Sequence, residues 1–232
     1  MDFRDWEPVY EAILADLGFS RRADEAARDE LATLVAPRAF DRDRLKVLRG
    51  GTAVVAGAGP SLADELDRVG ESDVVIGAST AVDVLSEAGI GADLMTTDLD
   101  KNPDTVRRLT EDGVPVAVHA HGDNRDLLRE VVPDLALENV LPTTQAAPVG
   151  RVENYGGFTD GDRAAFLADH FGARELKFVG WEVDDPTVSS TKRRKLAWAE
   201  RLLYWLETHR QESLDVLDGR RGGIDTRALP ID

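Results

Sequence analysis

The apolar positions of this chain change period at Gly50-Gly51. Before it, Val9, Tyr10, Ile13, Leu14 and Leu17 fall at helical spacing, with Gly18 as the stop. Ala23 to Leu34 repeats that spacing with a charged outer face, and Asp41 can cap a short third helix through Leu48. Beyond the glycines, short apolar runs alternate with amphipathic stretches. Runs at 52–56, 73–78, 90–95, 115–118, 139–142 and 176–181 read as strands. The stretches at 63–69, 81–88, 102–113, 125–132, 164–171 and 189–206 read as helices, and 214–217 as a last edge strand. Such alternation predicts an α/β fold: a mostly parallel, Rossmann-like sheet with helices on both faces. The expected division is an N-terminal helical extension over 1–49 and an α/β catalytic domain over 50–232. The extension carries no chemical motif and reads as a lid, or as part of a homo-oligomer contact. The tail from Asp218 reads as loose or partner-dependent.

Composition narrows the setting. A chain of 232 residues is long enough to bury one α/β core. It has no run of roughly 18 apolar residues, so no transmembrane helix is expected. Met1 to Glu7 is acidic and lacks the basic-then-apolar order of a signal peptide. Without cysteine there is no disulfide, thiol nucleophile or Cys-ligated zinc. A cytoplasmic location follows as the expectation. A net charge of −16 argues against nucleic acid and anionic membranes as partners. Of the 28 cationic residues only five are lysine, and an acidic, lysine-poor surface suits a salt-rich cytoplasm, hence a halophilic source. The remaining lysines, Lys46, Lys101, Lys177, Lys192 and Lys195, are then candidates for specific tasks.

Polar clusters recur where strands end. Gly57-Ala58-Gly59-Pro60-Ser61-Leu62 joins a strand to an expected helix, an arrangement that brings backbone N–H groups to a phosphate. Gly57 and Gly59 allow close approach, Pro60 fits a first turn and Ser61 can cap it. The stretch lacks the third glycine of a dinucleotide fingerprint and the Gly-Lys-Ser/Thr of a P-loop. A tight turn without a ligand fits it as well. Asp98 and Asp100 follow the third strand as a D-x-D pair, suited to Mg²⁺, which takes one or two carboxylates and fills its other positions with water and phosphate oxygens. Taken alone, the pair reads as a helix cap, Asp98, and a solvated loop acid, Asp100; its neighbours reverse that.

His119 and His121 leave the fourth strand as alternate residues expected to point apart, so hydrogen-bonding roles are favoured over zinc. His121 and Asp123 are expected to face the cleft, with Asp123 as a third metal acid or a helix cap. Thr143-Thr144-Gln145 offers hydroxyls and an amide, and Gly156 to Arg163 is a second Gly-rich turn with Asp160 or Asp162 as cap or ligand contact. Lys192-Arg193-Arg194-Lys195 opens a helix, where the dipole disfavours cations. Lys192 and Lys195 share a face, and a bound triphosphate would offset that cost. In a parallel sheet these β–α turns share one edge. Together they suit a nucleoside triphosphate with Mg²⁺, in a transfer that needs positioning and charge neutralisation rather than a protein nucleophile.

The ordered set G-A-G-P-S-L at 57–62, T-D-L-D at 97–100, H-A-H-G-D-N at 119–124, G-G-F-T-D-G-D-R-A at 156–164 and K-R-R-K-L at 192–196 resembles the archaeal MptE-like 6-hydroxymethyl-7,8-dihydropterin pyrophosphokinases, over about residues 50–217. The resemblance implies Mg²⁺-dependent transfer of the β,γ-diphosphate of ATP to the pterin hydroxymethyl group. AMP leaves, and the product feeds folate or methanopterin synthesis. It also implies a fold similar to the catalytic domain of thiamine pyrophosphokinase. On the matching motifs, Asp98, Asp100, His121, Lys192 and Lys195 would be catalytic, and Asp98, Asp100 and Asp123 would hold the metal. Gly57, Gly59, Pro60, Ser61, Asp160 and Asp162 would bind ATP. Asn124, Gln145, Asn154, Tyr155 and Phe158 are candidates for the pterin pocket. Thiamine or another alcohol as acceptor, a glycosyltransferase-like nucleotide-sugar domain, and a non-catalytic nucleotide sensor are the competing expectations.

Overall fold

The computed structural model describes residues 2–71 and 73–231; Met1 of the expected helical stretch and Asp232 of the tail fall outside them. Six strands form one sheet: β1 (Thr52–Ala56), β2 (Val74–Ala78), β3 (Leu94–Thr97), β4 (Val116–Ala120), β5 (Val140–Thr144) and β6 (Glu175–Val179). They are all parallel, in the order β5-β4-β3-β2-β1-β6. From β2 through β5 every strand residue is buried, as befits a parallel sheet covered on both faces. The chain steps outward from β1 to β5, then returns to lay β6 against the other side of β1. The crevice at the carboxyl ends of such a sheet, where the strand order reverses, is where ligands bind.

Among the described residues seven α-helices cover the sheet: α1 (Phe3–Leu17), α2 (Arg21–Leu34), α3 (Ala81–Glu87), α4 (Pro103–Glu111), α5 (Arg125–Val131), α6 (Asp160–His170) and α7 (Ser190–Arg210). On one face α1, α6 and α7 enclose a core containing Trp6, Phe166 and Trp205. On the other, α2, α4 and α5 pack around Met95, Val118 and Leu128, while α3 joins Leu62 and Val54 in a smaller cluster. The N-terminal helices are thus divided between the two faces. Trp6 is completely buried and stacks on Tyr10 and Trp205, both at 6.4 Å between centroids. The turn joining α1 to α2 reaches the carboxyl edge of the sheet, where the cavity described below lies. No helix of the described residues is long and apolar enough to cross a membrane.

Four expectations need correction. The helix expected at 63–69 is a pair of 3₁₀ turns, Pro60–Asp64 and Leu66–Arg68, broken at Glu65, whose carboxylate accepts the Gly180 N–H at 2.9 Å. The strand expected at 90–95 lies at Leu94–Thr97, because the Asp93 carboxylate takes the Val75 N–H at 2.8 Å and holds the preceding residues out of the ladder. Asp98 therefore follows the strand directly. The edge strand expected at 214–217 is a 3₁₀ turn over Asp215–Leu217. There the Leu214 N–H donates to Glu207 (2.7 Å) and its carbonyl accepts from Arg221 (2.9 Å), so neither serves a ladder. The tail, read as loose, is pinned by Arg221 on Glu207 and Arg220 on Glu200, and Leu229 is buried.

Candidate active site

A cavity of about 780 Å³ opens at the carboxyl edge of the sheet. Turns following all six strands line it, together with the first turns of α6 and α7 and the α1–α2 connection. The volume is that of a small-molecule site.

Asp98 and Asp100 occupy the middle strand end. Leu99 between them has φ +71° and is fully buried. A left-handed leucine costs ~1–2 kcal/mol, which its burial, worth roughly 1.5–3 kcal/mol, offsets. This kink buries the leucine and leaves both acids on the cavity wall. Both side chains line the cavity, and the Asp100 N–H donates to Asp98 Oδ1 at 3.3 Å. Burial alone would raise Asp98, but hydrogen bonds from His121 and Asp100 and the Arg163 charge outweigh it and hold Asp98 well below the usual carboxylate range. Burial, then the Asp98 carboxylate, raise Asp100. Two carboxylates facing an open cavity are the donor set that Mg²⁺ uses. Asp123 also lines the cavity but is exposed, and among the described residues no three acids or imidazoles converge as a metal cage.

His121 and His119 do not diverge as expected: their ring centroids are 6.4 Å apart, because side chains two residues apart along a strand share one face. His121 Nε2 is 3.2 Å from Asp98 Oδ2 and faces the cavity. His119 is buried behind it against Thr143 (3.1 Å), and burial pushes its pKa well down. Asn124, a pterin candidate, instead ties the turns together by donating to the carbonyls of Asp98 (2.9 Å) and His119 (2.7 Å). Asn154 is similarly engaged with the carbonyls of Gln145 and Ala146, and Tyr155 packs on His170 and Phe171. Gln145 and Phe158 do reach the cavity.

The two acids of the second Gly-rich turn part company. Asp160 lines the cavity and pairs with Arg163 at 3.2 Å; burial, then the charge of Asp98, push its pKa up to about 7. Asp162 points back into the protein. Its carboxylate accepts the Phe158 N–H (2.5 Å), the Thr159 N–H (2.9 Å) and the Thr159 hydroxyl, closing a capping box on α6.

Gly57, Gly59 and Pro60 line the cavity; Ser61 does not, and its hydroxyl is buried without capping the turn. The glycines are required by the β6 end. A Cβ on Gly57 or Gly59 would meet the Gly180 carbonyl at 2.6 or 2.5 Å. Their N–H groups donate to the carbonyls of Val179 (2.8 Å) and Gly180 (2.9 Å), so neither is free for a phosphate. Positive charge comes instead from side chains. Lys192 and Lys195 line the cavity and form no ion pair among the described residues, while Arg194 pairs with Asp16 on α1 at 3.2 Å. Lys101, also on the wall, pairs with Asp100 at 3.0 Å.

Arg163, read as part of the second Gly-rich turn, and Asp24, which escaped the sequence reading, also line the cavity. Arg163 bridges Asp160 and Gln145. Asp24, on α2, is only 3% exposed and accepts hydrogen bonds from Tyr10 (2.6 Å), Gln145 (2.8 Å) and the Gly122 N–H (2.7 Å). A signal for it existed. Asp24, Ala27 and Leu31 share one helical face, so an acid stood on the side of α2 that turns inward.

Residues 30–187 match the family described as 6-hydroxymethylpterin diphosphokinase MptE-like. The chain is 37% identical over 224 residues to the 6-hydroxymethyl-7,8-dihydropterin pyrophosphokinase of Methanothermobacter thermautotrophicus, an alignment covering 89% of this chain and 96% of that protein. It is 37% identical over 227 residues to the protein of the same name from Pyrococcus furiosus, covering 90% and 96% respectively. The namesake from Methanocaldococcus jannaschii is 32% identical over 195 residues, covering 78% and 80%.

Proposed function

Since the chain belongs to the MptE-like family of 6-hydroxymethylpterin diphosphokinases, we propose that it transfers the terminal diphosphate of ATP to the hydroxymethyl oxygen of 6-hydroxymethyl-7,8-dihydropterin with Mg²⁺ present. The observation that carries this reading is the Asp98–Asp100 pair, set on the wall of a cavity that also presents two lysines without ion-pair partners among the described residues. In the reaction the alcohol oxygen bonds to the β-phosphorus of ATP, the bond from that phosphorus to the α-bridging oxygen breaks, and AMP leaves. Mg²⁺ held by Asp98 and Asp100, with Asp123 at the rim, would neutralise charge on the phosphate oxygens. Lys192 and Lys195 draw the triphosphate in and offset its charge. His121 orients Asp98. The Asp160 carboxyl, balanced near neutrality, receives the hydroxyl proton. Gly57, Gly59 and Pro60 give the nucleotide a close-fitting backbone wall. The diphosphate ester so formed is an activated leaving group for folate or methanopterin synthesis. The charge of −16 supports a home in the salt-rich cytoplasm of a halophile.

The test is a purified chain incubated with ATP, Mg²⁺ and either the pterin alcohol or thiamine, following AMP. Formation of AMP with the pterin and not with thiamine is expected. Formation with thiamine alone, or with neither, overturns the proposal.

A further inference from the structure

The sheet order places the Asp98–Asp100 turn between two unlike halves of the cavity. On one side lie the turns after β2, β1 and β6, with Ser79, Gly57 and Gly180. On the other lie the turns after β4 and β5, with Gly122 and Gln145, roofed by α2. The second half holds a buried polar row. Asp24 Oδ2 accepts from Tyr10 and Gln145, Asp24 Oδ1 accepts from the Gly122 N–H, and Gln145 Oε1 accepts from Arg163 at 3.3 Å. The approach is built closely: a Cβ on Gly122 would meet Ala23 Cβ at 2.6 Å and Asp24 Oδ1 at 3.4 Å.

Asp24 is a carboxylate 3% exposed, on the cavity wall, with no ion-pair partner among the described residues. Burying a carboxylate without a cation is costly, and three hydrogen bonds leave about one of its four acceptor positions open. What suits that position is an N–H edge. A pterin presents one: its ring N3–H and 2-amino group are adjacent donors on a flat heterocycle. Phe19 and Phe158, 6.4 Å apart between centroids, supply an aromatic wall nearby, with Lys195 Nζ 5.7 and 6.0 Å from their rings.

We propose that Asp24, held in place by Tyr10 and Gln145, selects the alcohol substrate by accepting a hydrogen bond from the amino-pyrimidinone edge of the pterin ring. The nucleotide then lies on the opposite side of Asp98, against the Gly57 and Gly180 turns. This rests on the pterin being the acceptor.

The experiment compares kcat/KM for 6-hydroxymethyl-7,8-dihydropterin with that for its analogue carrying oxygen in place of the 2-amino group, in the wild type and in Asp24→Asn. A site built around a hydrogen-bonding edge rejects the mismatched analogue strongly, so the wild type should prefer the amino compound by roughly a hundredfold or more. In Asp24→Asn that preference should collapse to below about tenfold, because an amide can donate to the new oxygen. KM for the pterin should rise while KM for ATP stays unchanged. Equal losses on both compounds, with the preference intact, would make Asp24 a brace and overturn the proposal. So would a wild type that does not distinguish the two compounds, an outcome that needs no variant to fold. A wild type that forms no AMP with the pterin at all overturns the parent reading, and this one with it.

Discussion

His121 Nε2 lies 3.2 Å from Asp98 Oδ2, joining the ends of β4 and β3. The other ring nitrogen, Nδ1, accepts the Asp123 N–H at 3.4 Å, which assigns the imidazole proton to Nε2 and aims it at the carboxylate. The ring then works as an orienting donor. His121→Ala should lower turnover, and Mg²⁺ affinity with it, by about 10–100-fold, the usual loss when a partner behind a metal ligand is removed. His121→Gln, which keeps a donor, should recover part of that loss. Isothermal titration of the metal, beside steady-state rates, checks both.

Asp160 and Asp162 sit two residues apart and should fail in opposite ways. Asp162→Ala removes the capping box and leaves two backbone N–H groups of the Phe158-Thr159 turn without their acceptor. It should cost about 2 kcal/mol or more in stability, read by denaturant unfolding. Asp160→Asn keeps the shape of a cavity-wall side chain that supports no such cap. At pH 7.5 it should not lower the melting temperature, and it should lose turnover.

Much of this fold is legible because parallel strands are short apolar runs ended by glycine or polar residues, as at 52–56 and 74–78. The acids were equally visible, since Asp98 and Asp100 follow such a run. What the local pattern could not reveal depends on contacts distant in sequence. Gly57 and Gly59 looked like a phosphate loop, but their freedom serves the crossing with Gly180, more than a hundred residues on. Ser61 looked like a cap, yet its buried hydroxyl makes no hydrogen bond to the 3₁₀ turn it enters. Asp24 read as one more charge on an acidic helix until Tyr10, Gly122 and Gln145 closed around it. The supposed strand at 214–217 was undone by two side chains, Glu207 and Arg221, occupying its backbone.

His119 makes stability depend on pH. Burial lowers its pKa, so the folded chain keeps the ring neutral while the unfolded chain takes up a proton below about pH 6.5. Its contribution is complete above that pH and is lost as the pH falls, by up to ~1.4 kcal/mol per unit. Asp160 acts in the other direction. Its carboxyl, raised to about 7, binds a proton more readily in the folded chain, and stabilises increasingly as the pH drops from 7 toward the ordinary carboxylate range. The two oppose each other in the wild type. Chemical denaturation from pH 7.5 to 5 should therefore show His119→Asn gaining stability relative to the wild type as the pH falls, and Asp160→Asn losing it.

Lys192 and Lys195 line the cavity without an ion-pair partner among the described residues, whereas Arg194 is engaged with Asp16. Lys192→Ala and Lys195→Ala should each raise KM for ATP about tenfold, the scale of a lost charged hydrogen bond, with a smaller effect at high salt. Arg194→Ala should leave it unchanged. Initial rates against ATP at two salt concentrations decide this.

Asp98 and Asp100 are proposed to support transfer of an intact diphosphate to a pterin alcohol. Phosphorus NMR of a single reaction mixture with ATP, Mg²⁺ and 6-hydroxymethyl-7,8-dihydropterin tests it most directly. AMP and a pterin diphosphate ester should appear in equal amounts, and both should vanish in Asp98→Asn and Asp100→Asn proteins that remain folded. Formation of ADP with a pterin monophosphate, hydrolysis of ATP without an ester, or wild-type product from either variant would contradict it.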